Sequence, residues 1–151
     1  MKLSTRTRYG LRALIDLAKQ PADGPVMLRK ISERQGISKK YLDNIFTSLR
    51  LSGHLRTVRG ASGGYLLAED PSKIPVSHLV RALEGNFSPV DCINQPELCE
   101  KSEHCVARRL WKEMEKAMYS VLDAYTLQDL VERHQDLDTV FCIKNGDGPK
   151  T

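Results

Sequence analysis

ISERQGISKKYLDNIFTSLRLSGHLRTVRGASGGYL, residues 31–66, decides how this chain folds. A short helix from Leu28 to Gln35 is stopped by Gly36, with Leu28 and Ile31 pointing inward, and Ser38 then reads as the N-cap of the next. In that next helix Leu42, Ile45, Phe46 and Leu49 recur at i, i+3, i+4 and i+7, which defines a buried stripe. Its opposite face carries Lys40, Asp43, Asn44 and Thr47. Two short helices joined through Gly36 and Ile37, the second offering hydrogen-bonding side chains, have the plan of a helix-turn-helix whose second helix reads a major groove. Periodicity alone fits an ordinary three-helix core with a solvated polar face equally well. The following residues favour the first reading. Leu55 to Arg59 and Tyr65 to Ala68 read as extended segments around Gly60-Ala61-Ser62-Gly63-Gly64, a hairpin tip flanked by Arg56 and Arg59. Such a wing brings glycine backbone close to phosphates and an arginine to the narrow minor groove. A nucleotide-phosphate loop is excluded, because it needs Lys-Ser/Thr after its last glycine and Tyr65 stands there.

Working outward, Ser4 to Lys19 carries Leu11, Leu14, Ile15, Leu17 and Ala18 at helical spacing, and Gln20-Pro21 with Gly24-Pro25 ends that helix. Arg6, Arg8 and Arg12 sit in its first turns. The charge is divided along the chain. Residues 1–67 hold 13 Lys/Arg and 4 Asp/Glu, a net 13 − 4 = +9, and residues 68–151 hold 10 and 15, a net 10 − 15 = −5. Only the front of the chain is suited to a polyanion, and double-stranded DNA is the partner that fits, against the plainer reading of a solvated basic face. No apolar run approaches the length of a membrane span and no signal-type segment opens the chain, so a cytoplasmic protein without a membrane partner is expected.

Beyond the wing, Asp70-Pro71 and Ile74-Pro75 mark a loop, and Val76, Leu79, Val80 and Leu83 form another stripe ending near Gly85. Pro89 then opens a loop with three of the four cysteines, Cys92, Cys99 and Cys105, at C-x6-C-x5-C spacing. From about Glu103 to Tyr125 a long helix carries Leu110, Trp111, Met114, Ala117, Met118, Val121 and Leu122 on one face, a pattern suited to pairing two chains as a homodimer. Folding back on its own domain is the alternative for this face. Thr126 caps a last helix through about His134, with Leu127, Leu130 and Val131, and Lys144 to Thr151 reads as a mobile tail.

Thiolates clustered in a reducing compartment are metal or redox ligands more readily than disulfides. Three within fourteen residues can converge on one centre. A structural zinc site would show C-x2-C pairs, which are missing, and a thiol switch or inert cysteines remain as further readings. No metalloprotease, nucleophile-elbow or phosphate-loop motif is present, so an enzyme is not expected. An iron-sulfur redox protein whose basic face is incidental is the rival from a different class.

The opening MKLSTRTRYG, the ISERQGISKKYL of residues 31–42 and the RGASGGYL of residues 59–66 resemble the IscR, NsrR and CymR group of winged-helix bacterial repressors, the Rrf-two superfamily, over about residues 1–140. The likeness is strongest to its IscR branch, regulators of iron-sulfur cluster assembly. The resemblance implies a mainly α fold: a winged helix-turn-helix with a small β-hairpin wing, plus a long C-terminal dimerisation helix. It implies a DNA-binding domain at 1–85, a sensor loop at 86–106, a dimerisation and terminal helix at 103–140 and a flexible tail at 141–151. Contacts with an operator are then expected from Arg6, Arg8, Ser38, Lys39, Lys40, Tyr41, Asp43, Asn44, Thr47, Arg56, Arg59, Gly60, Ser62 and Gly63. The family's cluster role carries onto Cys92, Cys99 and Cys105, with a 2Fe–2S cluster favoured and 4Fe–4S the alternative. The fourth ligand departs from the pattern. The IscR type has a histidine three residues after its last cysteine, where this chain has Arg108, and the acidic position used by NsrR-like members is Arg8 here. His104, Glu103, Asp91, Cys142, a residue of a second chain or an outside ligand are left.

Overall fold

The computed structural model describes residues 3–21, 24–85 and 88–145, with side chains described through residue 137. The molecule is mainly helical: six helices and one antiparallel hairpin among the described residues. Helix α1 (Thr5–Ala18) starts where the Ser4 Oγ accepts from the Thr7 backbone N–H at 3.2 Å. Helix α2 (Leu28–Gln35) stops at Gly36, whose φ of 63° is a conformation only glycine adopts cheaply. Ser38 then caps α3 (Lys39–Leu51), its Oγ accepting from Tyr41 N–H at 3.3 Å. The expected stripe of Leu42, Ile45, Phe46 and Leu49 is fully buried. Burial of apolar side chains of this kind stabilises by about 1.5–3 kcal/mol each.

The wing pairs β1 (Leu55–Val58) with β2 (Gly64–Leu67), in register from Leu55 opposite Leu67 to Val58 opposite Gly64. The second strand is one residue earlier than the sequence predicts, because Gly64 pairs with Val58, and Tyr65 also exchanges two backbone hydrogen bonds of 2.9 Å with Val26. Gly64 is required there, since a Cβ would lie 2.3 Å from the Val26 carbonyl oxygen. Helix α4 (Val76–Glu84) buries Val76, Leu79, Val80 and Leu83 and crosses α1 at Gly10, where a Cβ would meet Leu83 at 2.6 Å.

After the cysteine segment come α5 (Val106–Asp123) and α6 (Leu127–Asn145). The long helix begins at Val106 rather than near Glu103, because Cys105 takes the N-cap position. The last helix does not end near His134 but runs to Asn145, its start set by Thr126 and Asp129 capping each other. Nothing between Thr126 and Asn145 is a proline or glycine, so no residue there stops it. Backbone bonds of 2.9 Å from Val76 to Tyr125 and from Leu127 to Ile74 draw this helix back onto the core, where Leu127 is fully buried beside residues of α1, α3 and α4. The tail predicted at 141–151 therefore begins inside this helix, and the residues beyond 145 lie outside the described residues.

Candidate nucleic-acid interface and cysteine loop

On α3 the side chains of Lys39, Lys40, Asn44 and Thr47 are exposed and Asp43 is half-buried. Lys39 and Asp43 form an ion pair one turn apart, 3.1 Å long. In solvent such a pair is worth at most about 1 kcal/mol, so both groups can exchange partners readily. Ser38 is engaged in capping, and Tyr41 is half-buried against Tyr9, the rings perpendicular with centroids 6.1 Å apart. The first helix divides its arginines. Arg8 is exposed, whereas the half-buried Arg6 guanidinium donates to Ser48 Oγ on α3. Arg12 donates to the Gln35 carbonyl at 3.0 Å, just before the turn between α2 and α3.

At the wing tip Arg56, Arg59, Gly60 and Ser62 are exposed. Gly63 N–H donates to Gly60 O at 3.0 Å to close the tip, and a Cβ at Gly63 would lie 2.2 Å from the Val58 carbonyl oxygen. Only glycine allows this tight return. α3 packs against the wing through Phe46 and Tyr65, whose rings meet edge to face.

Sequence reasoning missed the residue that sets α2, and so α3, against α1. Asp16 sits among Ala13, Leu14 and Leu17 on the buried face of α1, and its carboxylate accepts two bonds from Arg34 Nε and one from Nη2, at 2.6–3.1 Å, plus one from Gln35. An acidic residue inside an apolar stripe was the available signal. A second missed feature is His54 between α3 and β1, lining a cavity of about 150 Å³ with His78, Glu69 and Lys73. Burial, then the neighbouring His78 charge, pushes its pKa below the usual 6.5, with Glu69 opposing.

The cysteines lie on successive short turns. Cys92 is inside a turn of 3-10 helix (Asp91–Ile93), Cys99 follows another (Pro96–Leu98), and Cys105 is the N-cap of α5. All three are free thiols, Cys92 and Cys105 half-buried and Cys99 exposed. Among the described residues no three His, Cys, Asp or Glu side chains are gathered closely enough to hold a metal ion. The three thiols are not gathered into one such group in this conformation. In chemistry the donor set fits an iron-sulfur cluster: three soft, unpaired thiols on one short loop. His104, Glu103 and Asp91 are exposed beside them, and nothing is described of the Cys142 side chain.

Of the predicted pairing face on α5, Leu110 is 56% and Val121 59% exposed, Ala117 is exposed, and Trp111, Met114, Met118 and Leu122 are half-buried. No residue of α5 is fully buried, so its own domain covers this face only in part. The helix packs against α4, where the Arg81 guanidinium lies 4.4 Å from the Tyr119 ring centroid. Among the described residues no helix is long and apolar enough to cross a membrane.

Residues 3–133 match the family model of Rrf2, described as an iron-dependent transcriptional regulator. The chain is 42% identical over 145 residues to protein rrf2 of Nitratidesulfovibrio vulgaris, covering 96% of this chain and 93% of that one. It is 38% identical over 151 residues to the HTH-type transcriptional regulator IscR of Yersinia enterocolitica, covering 100% of this chain and 91% of the relative. Among solved structures it is similar to CymR, the global cysteine regulator of B. subtilis, with a TM-score of 0.73 at 38% identity over 88% of this chain and 98% of that one.

Proposed function

The chain belongs to the Rrf2 family of DNA-binding transcriptional regulators, and from that premise we propose that it is a homodimeric repressor whose grip on its operator is controlled by an iron-sulfur cluster on Cys92, Cys99 and Cys105. The observation that carries the reading is the placement of three free thiols on one loop leading directly into α5, in a family described as iron-dependent. Asn44, Thr47, Lys40 and the Lys39–Asp43 pair form the surface offered to base edges, and Arg59 with the Gly60–Gly63 tip forms the surface offered to backbone and minor groove. The open apolar face of α5 supports pairing of two chains, since a symmetric dimer presents two such surfaces to a palindromic site. A bound cluster would supply a redox-sensitive cross-link between the three cysteine turns. Holding it requires the turns to close up, and Cys105, as the cap of α5, would pass that closure to the helix.

A 2Fe–2S cluster is favoured, and its fourth ligand comes from His104, Glu103, Asp91, Cys142, a second chain or an outside ligand. The test is anaerobic purification followed by absorbance and electron paramagnetic resonance spectra, iron and zinc assays, and operator binding by loaded and cluster-free protein. A thiolate-to-iron band with stoichiometric iron, and different operator affinities for the two forms, is the expected result. Colourless protein that takes up no iron after anaerobic reconstitution overturns the cluster, and moves the switch to zinc or to the thiols themselves.

A further inference from the structure

One residue bonds to Cys92, to Cys105 and to the turn that follows Cys99. Arg108, in the first turn of α5, donates from Nε to the Cys92 carbonyl at 2.8 Å and from Nη1 to the Ser102 carbonyl at 3.3 Å. Its backbone N–H donates to Cys105 Sγ at 3.4 Å. Ser102 in turn bonds through its own N–H to the Cys99 carbonyl at 2.9 Å, and at 7% exposure it is the one residue between Cys92 and Cys105 that is buried. Nothing else described bonds both the Cys92 turn and the turn after Cys99. The planar guanidinium suits this work, because its donors are set in a fixed fork that can satisfy two carbonyls at once, which a lysine ammonium on a flexible stem does not reproduce.

We infer that Arg108 is the positioning residue of the cysteine site: it fastens the three cysteine turns to the first turn of α5. The assignment rests on the cluster reading for its purpose, though not for its geometry. With Arg108 in place, Cys92 and Cys105 start from fixed positions relative to α5, and drawing the thiols together needs movement mainly of the exposed Cys99 arm. Without it the bonds described between loop and α5 reduce to the one from the residue-108 backbone N–H to Cys105 Sγ. The same bonds make the loop and α5 one unit, so closure of the thiols pulls on the helix rather than being absorbed by slack.

The test compares the full chain as wild type, Arg108→Ala and Arg108→Lys. Amide hydrogen exchange in cluster-free protein is followed over the loop and over the wing, and paramagnetic resonance line shape and reduction potential are measured after anaerobic reconstitution. Loss of two bonds from a charged donor is expected to speed loop exchange by about tenfold or more in Arg108→Ala, with the wing unchanged as the internal control for folding. Arg108→Lys should recover only part of the protection. The loaded Arg108→Ala protein should show a broadened signal and a shifted potential, which loss of stability alone would not produce. Wild-type loop exchange in Arg108→Ala, or full recovery by lysine, overturns the inference, the latter because charge alone would then suffice. Wild-type protein that takes up no iron overturns the cluster reading, while the exchange comparison still decides whether Arg108 fastens the loop.

Discussion

Tyr65 stands edge-on to Phe46, with ring centroids 5.0 Å apart and planes at 83°. Phe46 is the fully buried ring of α3, and Tyr65 is the wing residue whose backbone also pairs with Val26. Three segments distant in sequence therefore meet at Tyr65. Such an aromatic contact is worth about 0.5–1.5 kcal/mol beyond the area it buries, so Tyr65→Ala should cost about 2–3 kcal/mol and Tyr65→Phe under about 1. Urea unfolding measures both. An alanine variant as stable as wild type would mean that the ring does not hold the wing to α3.

The clamp between Asp16 and Arg34 gives a second prediction. The Asp16 side chain is 8% exposed and the Arg34 side chain 37%, so removing the arginine strands a carboxylate that cannot easily rehydrate. Arg34→Ala should cost about 2–3 kcal/mol, because Gln35 alone remains to satisfy the buried acid. The double variant Asp16→Ala, Arg34→Ala should lose less than the sum of the two single changes. Strict additivity in a double-mutant cycle would show the pair to be uncoupled.

These two contacts mark where the sequence is readable and where it is not. The bounds of α2 and α3 are legible from Gly36, Ser38 and the stripe Leu42–Leu49, since caps and periodicity are local signals. The wing is legible because its tip concentrates glycines that a tight return needs. The Asp16–Arg34 pair is not, because partners eighteen residues apart leave no periodic trace. Arg6 is a similar case: its place in the first turn of α1 allows either solvent or α3, and it turns to Ser48. Arg108 is harder still, because it bonds backbone carbonyls, which no residue type announces. The cysteine spacing advertises the thiols but not the two turns that separate them.

His54 makes stability depend on pH. Its folded pKa is held below the ordinary 6.5, chiefly by burial and then by His78, so the folded chain resists a proton that the unfolded chain accepts. The contribution is fully present above a pH of about 6.5 and is lost as pH falls through the lower folded value. Melting temperatures should therefore fall more steeply between about pH 7 and pH 5 for wild type than for His54→Gln. Parallel profiles for the two would show that His54 is not the group responsible.

For DNA, the wing and α3 should fail in different ways. Arg59→Ala should weaken binding across all sequences and reduce the slope of log affinity against log salt by about one, as expected for one lost phosphate contact. Asn44→Ala should leave that slope in place and relax preference at one base position by about 1–3 kcal/mol. Titrations at several salt concentrations, on an operator and on its single-base variants, separate the two. An unchanged slope in Arg59→Ala would remove the wing from the interface.

The cysteine loop gives the prediction that separates a sensor from a structural metal. In Cys92 the group bonded to Arg108 is the backbone carbonyl, and the half-buried thiol has no counterpart among the core side chains. Cys92→Ala should therefore keep the winged fold and the cluster-free melting temperature, because the core of α1 to α4 and α6 is untouched. It should lose the visible iron-thiolate absorption, since two remaining thiolates make a poor seat for a cluster. Its operator affinity should then match that of cluster-free wild type, whether or not iron and sulfide are offered. A structural metal would behave differently: its free energy of binding is folding free energy, so removing a ligand would unfold the loop and the start of α5 together. Circular dichroism and operator binding on the same sample decide between them, and a Cys92→Ala protein that still responds to iron would remove Cys92 from the site.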